Sequence, residues 1–284
     1  YKYTVFIKGM NNIPLFMRWQ TLFAILSMVT SSVVIYVTSN LLAFVITYQF
    51  WVILNVLRNK YLANQLFNKE FKNFKLEKID KKIIKNILPS AWRTWVAQFM
   101  SYGLIQMSGI FYAQIADPSS TAMYLFSLKI INFIKQFSNA PFYSRLPRLA
   151  KYFIQKKFNK LLEDAKRGMF LSHLSFILLF IIIGISMDPL LSFINSKILF
   201  ADPYLWSLLG LSFWIERYGA MHYQLYALSN RVVAHIGNGI TGLIYIGLIF
   251  LLIDTFQIYT FPLSYFLACL LFYSWYGVIH SKKI

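Results

Sequence analysis

The chain has 284 residues, 58% of them hydrophobic, 19% aromatic and only 13% charged, with a mean hydropathy of +0.54 and a net charge of +18. Soluble domains are nearer half apolar and a quarter charged, so an ordinary soluble domain is excluded. The basic excess would suit nucleic acid, but the bases alternate with long apolar runs, and no nucleic-acid partner is expected.

Eight apolar stretches follow one another: 19–37, 41–57, 89–115, 122–142, 169–187, 203–228, 232–253 and 258–279. Roughly 20 apolar residues cross a hydrocarbon core of about 30 Å as a helix, and only the second stretch is marginal. Without period-two alternation, and with every backbone polar group needing a partner inside lipid, these runs predict helices. The fold class expected is all-α, a polytopic membrane bundle of about eight transmembrane helices.

Ahead of the first stretch lie Lys2, Lys8 and Arg18. These residues read as the end of a segment already under way, without the basic start, short apolar core and small-residue cleavage site of a signal peptide. The short turn Thr38-Ser39-Asn40 joins the first two helices. Nine bases then crowd between Arg58 and Lys85, and eight more between Arg145 and Arg167. Arg231, Lys282 and Lys283 complete a set of 23 among 28. The alternate gaps hold Asp117, Asp188, Asp202 and Asp254 with only Lys197 against them. Lys- and Arg-rich short loops stay cytoplasmic, so both chain ends are expected on the inner side.

Within the first basic connection, Leu76, Ile79, Ile83 and Ile87 recur at helical spacing between Lys78, Lys81, Lys82 and Lys85. That pattern predicts an amphipathic helix on the inner face, with Pro89 in the first turn of the next span. Residues 151–167 repeat the device, with Ile154, Phe158, Leu161 and Ala165 as the apolar stripe. Asp117-Pro118-Ser119-Ser120 reads as an outer turn, Asp188-Pro189 as the start of another, and Pro262 as part of the last helix's first turn. Pro141 and Pro147 predict a kink at the end of the fourth span, either a moving gate or a fixed bend.

Enzymatic signatures are scarce. No phosphate-binding loop, H-E-x-x-H or C-x-x-C occurs, and the lone Cys269 has no partner for a disulfide. Gly237-Asn238-Gly239-Ile240-Thr241-Gly242 fits a dinucleotide pattern but opens an apolar span, where small residues that let helices approach explain it better. His173, His222, His235 and His280 show no ligand spacing. No enzyme activity, cofactor or metal is expected.

Charges inside the spans carry the functional signal, because each costs at least ~2.5–3.5 kcal/mol at a helix centre. Lys129 and Lys135 fall in the fourth span, Glu216 and Arg217 in the sixth, and Arg93 near the inner end of the third. Lys129, Asn132, Gln136 and Asn139 share one helical stripe, and Thr94, Gln98, Ser101 and Ser108 another. Two such stripes either bond helices together or line a solvated cavity. A cavity holding Arg93, Lys129, Lys135 and Arg217 against Glu216 alone selects anionic cargo, phosphate or pyrophosphate.

A span opening Pro89-Ser90-Ala91-Trp92-Arg93 follows the basic connection. The segment from Tyr124 to Lys129 heads the next span, which ends in Arg145-Leu146-Pro147-Arg148-Leu149-Ala150. Four more spans follow, with Leu228-Ser229-Asn230-Arg231 at the last inner turn. In these features the chain resembles the bacterial polysaccharide exporters, the O-antigen-type flippases of the multidrug/oligosaccharidyl-lipid/polysaccharide superfamily. The resemblance implies that 1–57 is the last part of a first helical lobe, 58–88 a cytoplasmic connection, and 89–284 a second six-helix lobe. Four helices would then precede this chain.

The implied activity is flipping of an undecaprenyl-pyrophosphate-linked oligosaccharide, an O-antigen or capsule repeat unit used in polysaccharide and lipopolysaccharide biosynthesis, across the bacterial cytoplasmic (inner) membrane by alternating access. Arg93, Lys129, Lys135 and Arg217 would contact the anion, and Gln98, Asn132 and Gln136 the sugar or water. Glu216 would pair with a base or titrate as a coupling group. Implied partners are the lipid-linked glycan, membrane lipids, a coupling proton or sodium ion, and glycan-assembly proteins. The alternatives are a drug or cation antiporter of the same superfamily, which needs unpaired carboxylates, or a glycan polymerase or acyltransferase, which needs a large outer loop or clustered His and Asp.

Overall fold

The computed structural model describes residues 2–9, 13–66 and 81–283, and every regular element among them is helical. In chain order these are α1 (Lys2–Gly9), α2 (Ile13–Thr38), α3 (Leu41–Leu66), α4 (Lys81–Ile115), α5 (Pro118–Tyr143), α6 (Leu146–Ile154), α7 (Phe158–Phe193), α8 (Pro203–Ala227), α9 (Ala234–Phe256), α10 (Thr260–Ala268) and α11 (Ser274–Ser281). A short turn, Gln257–Tyr259, links α9 to α10, and one π-helical turn, Cys269–Tyr273, joins α10 to α11. All eight apolar stretches are helical except for Leu228, Val232 and Val233, which fall in the turn between α8 and α9. Among the described residues, four stretches are long and apolar enough to cross a membrane: Arg18–Thr38, Leu42–Leu66, Phe158–Phe193 and Ala234–Ser281. The last folds back on itself at Gln257, whose φ is 46°.

Two compact units divide at Asp80 and Lys81. In the first, α2 and α3 form a hairpin whose two-residue turn ends on Asn40. The Asn40 Oδ1 accepts from the Leu42 N–H at 2.8 Å and so starts α3. Trp51 Nε1 donates to Thr30 Oγ1 at 2.7 Å across the hairpin, and small buried Ser27 and Ser31 let the helices approach. α3 runs on to Leu66, past the end of its apolar stretch at Leu57, because residues 58–66 contain no Gly or Pro to stop it. Residues 67–80, which carry Leu76, Lys78 and Ile79 of the expected surface helix, lie outside the described residues.

The second unit packs α5 against α7, α8 against α11, and α4 against α9. Its main core is aromatic: Tyr112, Tyr124 and Phe261 meet edge to face or tilted with centroids 5.4–5.7 Å apart. A second cluster, Phe142, Leu149, Leu161, Ala165, Met221 and Leu225, closes the end nearest α6. Outside this core stands a coat of exposed apolar side chains, among them Phe170, Ile185, Leu243 and Phe250, as lipid-facing helices require.

Several local expectations change. Pro89 lies nine residues into α4, not in a first turn, since the helix begins at Lys81 and carries Lys85 and Ile87 with it. The stripe expected over 151–167 is broken. Lys156 adopts φ 56° between α6 and α7, leaving Ile154 80% exposed while Leu161 and Ala165 enter the second cluster. Pro141 falls within the last turn of α5, and the chain bends after it at Ser144 and Arg145, with Pro147 in the first turn of α6.

The three Asp-Pro pairs separate. Asp117 and Asp202 cap α5 and α8, each with its proline at the first helical position. Asp188-Pro189 does not begin a turn: α7 continues to Phe193, because Met187 and Leu191, one turn apart, are both held in the core. Pro262 does sit in the first turn of α10.

Candidate functional site

Lys135 on α5 meets Glu216 on α8, with Nζ 2.9 Å from Oε2. Their side chains are only 21% and 5% exposed. The same ammonium stands 5.4 Å from the centroid of Phe213, one turn before Glu216. α8 thus offers Lys135 a carboxylate and an aromatic face together. One residue on, Arg217 donates from Nη2 to Asn139 Oδ1, and Asn139 is one turn beyond Lys135. The two contacts form a short ladder between the helices, with two cations against one carboxylate.

Arg217 is 2% exposed, its Nε has no hydrogen-bond partner, and no carboxylate of the described residues lies within 4.0 Å of it. Charges this deep cost several kcal/mol each unless well compensated. Compensation here is incomplete, so the ladder carries a net positive charge.

Two glycines position α8 for this contact. A Cβ on Gly219 would fall 2.7 Å from the Tyr273 ring and 3.0 Å from the backbone of Ser274. α8 therefore lies tightly on α11, where Ser274 Oγ also donates to the Ile215 carbonyl at 2.9 Å. Gly237, in the glycine pattern on α9, leaves room for the Tyr223 hydroxyl, only 2.0 Å from where its Cβ would be; that hydroxyl donates to the Tyr273 carbonyl at 3.1 Å. Close helix approach accounts for Gly237. Gly239 has nothing within 4 Å of that position.

The structure brings together three of the eight candidates, Lys135, Glu216 and Arg217. Asn132 is half-buried and its Nδ2 donates at 2.8 Å to the Leu128 carbonyl of its own helix. Lys129, Gln136, Arg93 and Gln98 are exposed on the outer faces of α5 and α4. The two stripes thus do not act alike along their length: Ser108, at the buried end of α4, takes part in a bond from the Tyr124 hydroxyl at 3.0 Å. A narrow aromatic cleft lies beside that pair, lined by Tyr245, Phe261 and Tyr265 among others, and none of the eight candidates lines it.

Asn139 stood in the polar stripe without a role of its own, and it is the residue that Arg217 bonds. A second cluster was not visible in the sequence. Asp164, near the start of α7, accepts from Arg145 Nη1 at 2.5 Å and from Arg148 Nε at 2.6 Å, with a further bond from Arg148 Nη2. Arg145 also donates from Nε to the Pro141 carbonyl at 3.2 Å, tying the end of α5 to the turn that follows it. The available signal was the Arg145-to-Arg148 spacing of three, which puts both guanidinium groups beside one another at the start of α6.

Among the described residues no three His, Cys, Asp or Glu side chains group as metal ligands. His173 sits between the Trp214 and Tyr218 rings, and His222 Nδ1 is 2.7 Å from Ser281 Oγ. No family model, curated protein or solved structure matches the chain.

Proposed function

We propose that this chain belongs to a bacterial inner-membrane flippase that moves an undecaprenyl-pyrophosphate-linked oligosaccharide outward by alternating access. Eight membrane spans with both described ends on the cytoplasmic side complete the proposal, which rests on the resemblance stated above and on the charge sorting. The observation that supports it best is the ladder between α5 and α8, where buried Lys135 and Arg217 face a single carboxylate. A membrane protein keeps such an excess of buried positive charge where an anion is handled.

Lys129, Gln136, Arg93 and Gln98 are the accessible contacts in this reading, and Lys135 and Arg217 set the positive potential behind them. An antiporter for cations needs a carboxylate free for its cargo, whereas Glu216 is held by Lys135, which favours anionic cargo.

The test replaces Lys129 and Lys135 with Ala in the full-length protein and measures surface glycan in a strain lacking its own flippase. Loss of most glycan at normal protein level is expected, and undiminished glycan would remove the proposal. The span arrangement is checked apart from this: a cysteine at Ser119 should react with an impermeant reagent added outside, and one at Asn159 should not.

A further inference from the structure

The first unit contains a buried cation that the flippase reading does not use. Arg58 directly follows the second apolar stretch and is 7% exposed. Its Nε and Nη2 donate to Asn59 Oδ1 at 3.2 and 2.7 Å, and Nη2 also donates to Gln20 Oε1 at 3.2 Å. The guanidinium carbon lies 4.8 Å from the Phe23 centroid and 5.7 Å from that of Phe16. Both hydrogen-bonding neighbours are neutral amides. Among the described residues no carboxylate oxygen comes within 4.0 Å, and Nη1 has no hydrogen-bond partner.

Arg58 also lines a groove of about 760 Å³ between α2 and α3. Trp19, Phe23, Leu54, Leu57 and Tyr61 form its walls, so it is apolar and aromatic except at Arg58 and Gln65. Acyl chains fit such walls, and guanidinium is the side chain best matched to phosphate oxygens. Basic pockets between membrane helices at the cytoplasmic boundary are where anionic headgroups bind.

We propose that this groove is a binding site for an anionic membrane phospholipid, with one acyl chain along Trp19, Leu54 and Leu57 and the headgroup phosphate on Arg58. A phosphate oxygen at Nη1 takes the hydrogen bond left unmade there and supplies the negative charge that Gln20 and Asn59 do not. Neutral zwitterionic lipid fits the same apolar walls but offers Arg58 no net charge. The site therefore discriminates by headgroup rather than by chain.

Trp19 in the groove provides a local probe. The full-length protein is reconstituted with brominated phosphatidylglycerol or brominated phosphatidylcholine, and the share of quenching due to Trp19 is obtained by difference from Trp19→Phe. Phosphatidylglycerol is expected to quench that share at a mole fraction about tenfold lower than phosphatidylcholine, because both carry the phosphate but the choline of the latter offsets its charge beside Arg58. In Arg58→Gln the two lipids should become equal. Gln65→Glu, an exposed position lining the groove, should weaken quenching by phosphatidylglycerol alone, and it decides the matter where Arg58→Gln does not fold. Equal quenching by both lipids in wild type, or an unchanged preference in these variants, overturns the proposal. So does relief of the quenching by undecaprenyl phosphate at a lower mole fraction than unbrominated phosphatidylglycerol, which would assign the groove to transported lipid. No transport is measured, so failure here and failure of the flippase reading are separately visible.

Discussion

Two clusters in the second unit each set two cations against one carboxylate, and they resolve the same imbalance differently. At the end of α5, Asp164 accepts from both Arg145 and Arg148, so each guanidinium touches the carboxylate directly. Further back on α5, ten residues before Arg145, Lys135 takes all that Glu216 offers, and Arg217 is left to the amide of Asn139. The Asp164 cluster is a closed clamp that holds the α5–α6 corner against α7. The ladder keeps a positive charge that no neighbour neutralises. Equal composition thus gives a structural tie in one place and a polarised, anion-seeking one in the other, and the difference lies in whether the second cation reaches the oxygen.

The clamp offers the largest test of that contrast. Asp164→Ala leaves two guanidinium groups facing each other without their anion and is expected to cost about 4 kcal/mol, held below the upper end for a buried ion pair because Arg148 is half exposed. Thermal unfolding of the protein in detergent would read the loss, and a change within error would show that the clamp is not a structural tie.

Breaking the ladder should cost less, because Glu216 has one close cation where Asp164 has two. Glu216→Ala is expected to destabilise by about 3 kcal/mol, and adding Lys135→Ala should recover much of it, since no lone charge is then stranded. Additive losses in this double-mutant cycle would deny the pair any coupling. Gly219→Ala comes next, at about 1–3 kcal/mol, because overpacking α8 against Tyr273 and Ser274 must shift one helix. It should disturb the Lys135–Glu216 contact and leave the clamp intact. Crosslinking of cysteine pairs across each cluster would reveal whether both move instead.

The smallest effect concerns a carboxylate outside both clusters. Asp117 accepts from the Ser120 hydroxyl and the Ser120 N–H, and these bonds, the hydroxyl's first, hold its carboxyl below the usual range. A depressed folded value contributes stability above the unfolded value, about 4, and loses it as pH falls through the folded one. Protection of the first α5 amides, measured against their unprotected exchange rate at each pH, should therefore fall on acidification in wild type and not in Asp117→Asn. Equal acid sensitivity in both would locate the effect elsewhere.

Much of the fold was legible because helix length and hydrophobicity are local properties. The hairpin at Ser39, the helix over each apolar stretch and the first turn at Pro262 follow from residue type and spacing alone. The Asp-Pro pairs mark where that legibility ends. Asp117, Asp188 and Asp202 carry the same local signal, yet only two begin helices, since core contacts of Met187 and Leu191 carry α7 through the third. For the candidate site, three of eight residues converge. The stripe through Lys129, Asn132 and Gln136 was correct as a periodicity, but the rotation of α5 in the bundle turns Lys135 and Asn139 inward toward α8 and leaves Lys129 and Gln136 outside.

By itself the sequence determined that this is a helical protein with lipid-compatible spans, and that a few charges lie where lipid makes them costly. Those statements depend on composition and period, which every helix carries along its own length. Only the tertiary structure decided which charges meet. Lys135 and Glu216 are 81 positions apart, and their contact depends on the close seating of α8 on α11 at Gly219 and on the rotation of α5. Arg58 with its groove, and Asp164 between two arginines, arise in the same way, because pairing distance is set by packing between helices and leaves no periodic trace along any one of them.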